Sequence, residues 1–536
     1  CASSRNTVKN MTDTARTSTP SAAAAKHLKR RRAADGRFRY YGLIAILAAL
    51  GALAVLVLTI GSQALSAATY HVVRYDVTLD PAVIAPEGAN RPADIARNVD
   101  GFYGLVRDNL LETFPEAESD RVSRRELSDF VTRLAVLPTA KMIANSPELV
   151  GGDIAMTAPL NDDLDLYLKG QGVRERKIKA GQITAVAADG QAGYRVTGAG
   201  AFDALMAGLA VANVGRAKGA AQVDVLLTAG VSTGRLTDIT SGSARLELLT
   251  GKAADFSNSR PAARIIVSPE AERTISDRQI AWVLALKEMG RVERVPRWTL
   301  LTNSDSTYPE LAGGLAAIVG SLLTMLVTAM VAMPIGILAA VYLEEFAPRN
   351  RVTEFFEVNI NNLAAVPSIV FGLLGAALYI NFLGMPRSAP LVGGLVLALM
   401  TFPVVIIASR AALKAVPPSV RSGALAVGAS QMQTVFHHVV PLAAPGILTG
   451  AILGMARALG ETAPLLLIGM VAFVGDVPSG PTDESTVMPV LIFSWSNNAE
   501  RAWEPLTSAM IVILLAFLLL MNGLVVFLRR KYERRW

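Results

Sequence analysis

Arg457 and Glu461 are the only Lys, Arg, Asp or Glu residues between Arg421 and Asp476, and they stand four apart in an apolar stretch. On a helix that spacing brings both side chains to one face, where they neutralise each other. Arg457 lies twelve residues beyond Pro445. At 1.5 Å per residue this is about 18 Å, near the middle of a membrane span expected over 446–473 and beyond the reach of a snorkelling end. A charge at that depth costs at least ~2.5–3.5 kcal/mol, so something must face it. The planar guanidinium stays charged at any working pH, and its fixed fork of donors fits two oxygens of an oxyanion. Arg457 is therefore expected where an anion passes, with Glu461 as its resting partner. The alternative is a pair that only ties helices together, a task that packed apolar residues perform at little or no cost. Arg410, at the end of another apolar span, is a second candidate on an exit route and equally a topology-setting charge.

The elements that must hold these residues follow from the distribution of charge. The chain has 536 residues, 52% hydrophobic and 18% charged, with net charge +7. That composition excludes a disordered chain and points to membrane helices. Its single cysteine, Cys1, excludes an internal disulfide framework and any site needing several thiolates. The four histidines (His27, His71, His437, His438) assemble no ligand set, so neither a metal nor a cofactor is expected. Cys1–Asn10 precede the first methionine, Met11, and read as an upstream extension of the reading frame, with a lipid-modified Cys1 as the alternative. Residues 1–40, ending in Lys26, Lys29, Arg30–Arg32, Arg37 and Arg39, read as a disordered basic cytoplasmic tail. Residues 41–65 are apolar and uncharged and are expected to form an uncleaved first transmembrane helix; a signal peptide fits less well, because its apolar core is about 7–15 residues.

Residues 66–310 change character. Ser66 to Tyr308 carry 28 Lys and Arg against 30 Asp and Glu, the balance of a water-soluble domain on the side opposite the basic tail. Helical spacing over 92–149 and strand-like runs at 183–186, 194–196, 223–227, 246–249 and 265–267 predict a mixed α/β insertion. It contains no Gly-x-Ser-x-Gly and no phosphate-cradling glycine loop. Five further apolar spans are expected at about 311–343, 359–383, 391–413, 446–473 and 506–528. Positive charge then falls on one side: Arg349 and Arg351; Arg410, Lys414 and Arg421; Arg529 to Arg535. The fold class is thus an α-helical polytopic membrane protein with six transmembrane helices, both termini cytoplasmic, and an α/β domain between helices 1 and 2. Pro334, Pro367, Pro403 and Pro464 interrupt spans and can bend them, while Gly372, Gly375, Gly393 and Gly394 read as close-packing positions.

Between the fourth and fifth spans, residues 415–441 predict a short helical hairpin: Pro417 and Pro418 open it, Ser419 caps it, Gly428 turns it, and a second helix over 430–439 ends before Pro441. This stretch resembles the signature of inner-membrane permeases of ATP-binding-cassette importers, Glu-Ala-Ala, three residues, Gly, nine residues, Ile-x-Leu-Pro. Ser422, Gly423, Ala424, Gly428, His438, Val440 and Pro441 occupy those places, with serine for the acid and histidine for the isoleucine. Asn361–Gly372 and Ala456–Leu465 are similar to motifs of phosphate-specific permeases, the second closer to the PstA-type than to the PstC-type subunit. The resemblance covers 311–536 and implies the type I importer permease fold in a bacterial inner membrane, a long form carrying an extra periplasmic domain.

Several expectations follow from that resemblance. The hairpin docks on a separate PstB-type ATPase dimer, so this chain is not itself an enzyme, and the serine at 422 removes an ion pair there. A PstC-type partner permease and a periplasmic phosphate-binding protein complete the importer; no nucleic acid is involved. Because hydrogen phosphate has a proton to donate and sulfate has none at neutral pH, an ionised Glu461 accepts from the first and repels the second. A permease for sulfate or molybdate, or a membrane-anchored sensor, are the alternative readings.

Overall fold

The computed structural model describes residues 22–86, 92–188, 193–213, 223–268, 270, 273–470 and 473–532; the tail segments 1–21 and 533–536 lie outside the described residues. Helix α1 runs Ala22–Ala67. The part of the basic tail from Ala22 onward, read as disordered, is therefore helical, in keeping with its Ala, Lys and Arg content. Its stretch Gly36–Ala67 is long and apolar enough to cross a membrane.

The region after α1 is α/β, as expected. Its strands are β1 (Thr69–Thr78), β2 (Asp153–Pro159), β3 (Glu175–Lys179), β4 (Ala185–Ala188), β5 (Tyr194–Thr197), β6 (Asp224–Ala229), β7 (Ser232–Thr237), β8 (Ser243–Thr250), β9 (Ala262–Ile266) and β10 (Val292–Pro296). They form two antiparallel sheets, one in the order β10-β1-β2 and one in the order β3-β9-β6-β7-β8-β5-β4. β1 alternates, with Val73, Tyr75 and Val77 buried and Arg74, Asp76 and Thr78 outward, so one face of the first sheet belongs to the core. Helices α2 (Val99–Thr113) and α3 (Asp277–Glu288) close that core, where Trp282 packs between Phe114 and Phe130. The second sheet has a core of its own, built around Phe202, Leu227, Leu246 and Phe256. Thr69 pairs with Pro296, so the domain's first and last strands lie side by side.

Beyond the sheets come α4 (Leu315–Phe346), the pair α5 (Arg351–Ala364) and α6 (Ser368–Phe382), α7 (Pro390–Lys414), α8 (Pro418–Ala426), α9 (Gln431–Gly460), α10 (Ala463–Leu467), α11 (Met488–Ser496) and α12 (Trp503–Tyr532). Among the described residues five helices can cross a membrane by length and composition, or six if the bent pair is one span. The span expected at 359–383 is that pair, broken by 103° rather than gently bent. Pro367 supplies the reason: it lacks an N–H and drives Val366 out of helical geometry. The span expected over 446–473 ends at Gly460, because the ring of Pro464 would meet the carbonyl of residue 460 in a continued helix. Pro334 and Pro403, by contrast, lie inside unbroken helices.

Small residues set how closely the helices approach. A Cβ on Gly454, Gly450 or Gly446 would meet Thr401, Ala408 or Ala412 within about 3 Å, so α9 rides on α7 along a Gly-x₃-Gly-x₃-Gly stripe. The close-packing reading of four other glycines holds as well: Gly372 abuts Pro464, Gly375 abuts Val396, Gly393 abuts Met470 and Gly394 abuts Val327.

Candidate functional site

Arg457 sits in the last turn of α9, where a cation is favoured by the helix dipole. Glu461 is the residue that ends the helix, with extended backbone at φ −81° and ψ 121°. The two side chains still meet, Nε to Oε1 at 3.5 Å, while half of the Arg457 side chain stays exposed. This differs from the mid-helix placement expected from sequence. Arg457 stands beside a break in the helix, and its pairing with Glu461 is a single loose contact, not a fork-on-fork clamp. Such a guanidinium keeps most of its donors available.

Arg410 is elsewhere. Ala408 and Ala412 lie opposite Gly450 and Gly446, so Arg410 is level with residue 448, nine residues and roughly 13 Å short of Arg457. Its guanidinium is engaged by two carboxylates, Nε to Glu344 at 3.3 Å and Nη2 to Glu357 at 2.7 Å, and Lys414 reaches Glu344 at 3.6 Å. Sequence reasoning passed over Glu344 and Glu357. For Glu344 the signal was a run of two acids at the very end of an apolar span, next to a helix C-terminus that repels them; Glu357 lies inside α5 and carried no such signal.

The 415–441 segment forms α8, a turn, and the start of α9. Pro418 is at the first helical position and Pro417 takes the cap, so Ser419 lies inside the helix; the side-chain cap belongs instead to Ser430, which forms a capping box with Gln433. Gly428 has φ +90°, the left-handed turn that its lack of a Cβ permits. The second helix does not stop before Pro441. A π-turn over Thr434–Val439 widens the helix just ahead of the proline and accommodates its missing donor, and the helix continues to Gly460. Ser422 Oγ is turned to the carbonyls of its own helix, Pro418 and Ser419. Ala424 is buried, while Leu425, Val427 and Met432 present an exposed apolar tip. A Cβ on Gly423 would meet open space, so its face is free for close approach.

Residues 332–534 match the family model described as "Binding-protein-dependent transport system inner membrane component", and residues 25–177 match "Domain of unknown function (DUF3333)". The phosphate transport system permease protein PstA 1 of Mycobacterium tuberculosis is 34% identical over 250 residues, 44% of this chain and 78% of that protein. The chain belongs to the PstA family of phosphate transport system permeases. The family's Mycobacterium leprae PstA is 36% identical over 230 residues, 42% of this chain and 73% of that protein. That of Pasteurella multocida is 32% identical over 214 residues, 40% of this chain and 75% of that protein. Among solved structures, an inward-facing MetNI methionine transporter aligns with TM-score 0.33 and 17% identity, covering 41% of this chain and 95% of the matched one. The permease match includes Arg410, the hairpin, Arg457 and Glu461; residues 178–331 fall in neither family match.

Proposed function

We propose that this chain is the permease subunit forming half of the membrane pathway of an ATP-driven importer of inorganic phosphate. The observation that carries the reading is Arg457 beside the 460–463 break, inside the region shared with PstA permeases. Irregular backbone within a span is tolerated where it lines a cavity, and a second permease set against the exposed side of Arg457 would close one. The guanidinium then receives two phosphate oxygens as Glu461 gives way, and the Glu461 carboxylate accepts a hydrogen bond from the O–H of hydrogen phosphate, which keeps its proton. Both termini are cytoplasmic and the α/β domain is periplasmic, as the basic residues at the α4, α7 and α12 ends direct. A PstC-type permease, a PstB-type ATPase dimer and a periplasmic phosphate-binding protein complete the assembly. Ser422, Gly423, Ala424, Gly428 and Pro441 shape the hairpin that meets the ATPase, and Arg410 acts from its paired position near the cytoplasmic exit.

The test is Arg457→Gln in the assembled importer, reconstituted in vesicles with labelled phosphate. Uptake should fall about tenfold or more, from loss of a charge-assisted hydrogen bond worth roughly 1.5–3 kcal/mol. Undiminished uptake would sink the assignment.

A further inference from the structure

Helix α4 ends in two acids, Glu344 and Glu345, inside a π-turn spanning Tyr342–Phe346. A helix C-terminus carries partial negative charge, so carboxylates there are misplaced unless cations are brought to them. Glu345 is the more enclosed of the two, with an 8% exposed side chain. It receives a fork-on-fork pair from Arg421 on α8, at 2.5 Å from Nη2 and 3.1 Å from Nε. The same guanidinium also donates to carbonyls at and just past the end of α7, Nη2 to Leu413 at 3.0 Å and Nη1 to Val416 at 2.8 Å. From the other arm of the hairpin, Gln431 Nε2 donates to the main-chain oxygen of Glu345 at 2.8 Å. Both limbs of the hairpin therefore hold one residue of α4. Beneath them Val341, Leu413, Val435 and Val439 share one apolar core.

We infer that Glu345 is the positioning residue through which displacement of the hairpin reaches α4, with Arg421 as the tie to α8 and α7. The inference rests on the importer reading above. A purely static joint could be made from packed apolar side chains without desolvating two charges; a planar fork instead fixes direction, so the first permease helix follows the hairpin as one body.

The experiment uses the complete importer in proteoliposomes, comparing the native chain with Glu345→Gln and Arg421→Lys. Two quantities are read: phosphate imported per ATP hydrolysed, and the distance between spin labels at 342 on α4 and 427 at the hairpin tip, with and without ATP. Glu345→Gln should assemble yet lower the imported-to-hydrolysed ratio about fivefold or more, the lower end of ordinary coupling energies, with Arg421→Lys intermediate. The 342–427 distance should be unaffected by ATP in the native chain and change with ATP in Glu345→Gln. A native ratio and a constant distance in Glu345→Gln would overturn the inference, as would failure of both variants to assemble, which makes the tie a folding contact. If the native complex imports no phosphate, the importer reading fails while the label distances still decide the role of Glu345.

Discussion

Burial in the loop ahead of α4 pushes the Glu310 carboxyl up to about 7, with Asp162 and Glu500 adding repulsion that Arg297 offsets only in part. Its Oε1 accepts from Thr132, its Oε2 is buried without a hydrogen-bond partner among the described residues, and neighbouring Asp162 is itself raised to about 6. Between the ordinary value of 4.5 and about 7 the folded chain keeps a proton that the unfolded chain releases, so stability falls as pH rises through that window and levels off above it. The shift corresponds to about 3 kcal/mol. Glu310→Gln should therefore raise the melting temperature in detergent at pH 8 and leave it nearly unchanged at pH 5. A parallel offset at both pH values would contradict this account. A second residue-scale outcome concerns selectivity: Glu461→Gln should admit sulfate as a competitor of phosphate uptake in vesicles, because the charge that repels an unprotonated dianion is gone. Unchanged uptake with sulfate still excluded would end that idea. The Arg457–Glu461 pairing was legible from its i,i+4 spacing, whereas the helix end between the two was not, because the reading carried an apolar run through Pro464 as one span.

Among the elements, the α7–α9 contact leaves little room for change. A methyl on Gly450 would stand 2.1 Å from the Ala408 Cβ, a clash between two helices that only their separation can relieve. Gly450→Ala should cost about 1–3 kcal/mol of stability, the usual penalty of overpacking. Gly523→Ala in α12, whose methyl would meet nothing within 4 Å, should be neutral or mildly stabilising. Equal melting shifts for the two would show that helix propensity, and not packing, governs the result. The Gly-x₃-Gly-x₃-Gly signal of this stripe is present in the sequence, but spacing alone does not say which helix it faces. The break at Pro367 was readable as a location and not as an angle, since a proline defines where donors are lost while neighbouring helices decide how far the chain turns. Of the strands, β4, β5, β6, β8 and β9 matched apolar runs. β1, β2, β3, β7 and β10 lie in no predicted run: β2, β3 and β10 are edge strands, which carry charges such as Asp153, Arg176, Lys177 and Glu293, and the interior β1 and β7 are interrupted by polar residues such as Arg74, Asp76 and Arg235.

For the whole molecule, the α/β domain and the helical region have separable cores. Among the described residues, the apolar clusters linking α4, α7, α9 and α12 contain none between 70 and 295. Thr69 and Pro296 are ladder partners, about 5 Å apart in such a pair, so a short Gly-Ser linker can join them. A deletion variant lacking 70–295 should still insert in membranes and co-purify with the proposed ATPase; failure to do both would show that the permease fold depends on the domain. Surviving uptake in that variant would make the domain regulatory or a landing platform, and loss of binding-protein association would make it part of delivery. The family-level fold was legible because apolar runs and flanking charges obey one-dimensional rules; the partition of 66–310 into two sheets was not, since strand order depends on contacts distant in sequence.

The pairing of β1 with β10 also has a mechanical consequence. Tension applied where the chain enters at Ala68 and leaves at Arg297 acts on the first rung of the ladder, the 2.9 Å bond between those two residues. The rungs are thus loaded one after another, as in peeling, and a peeled ladder yields at lower force than one sheared along its length. Drawing the two anchor points apart should open this junction before it disturbs either hydrophobic core.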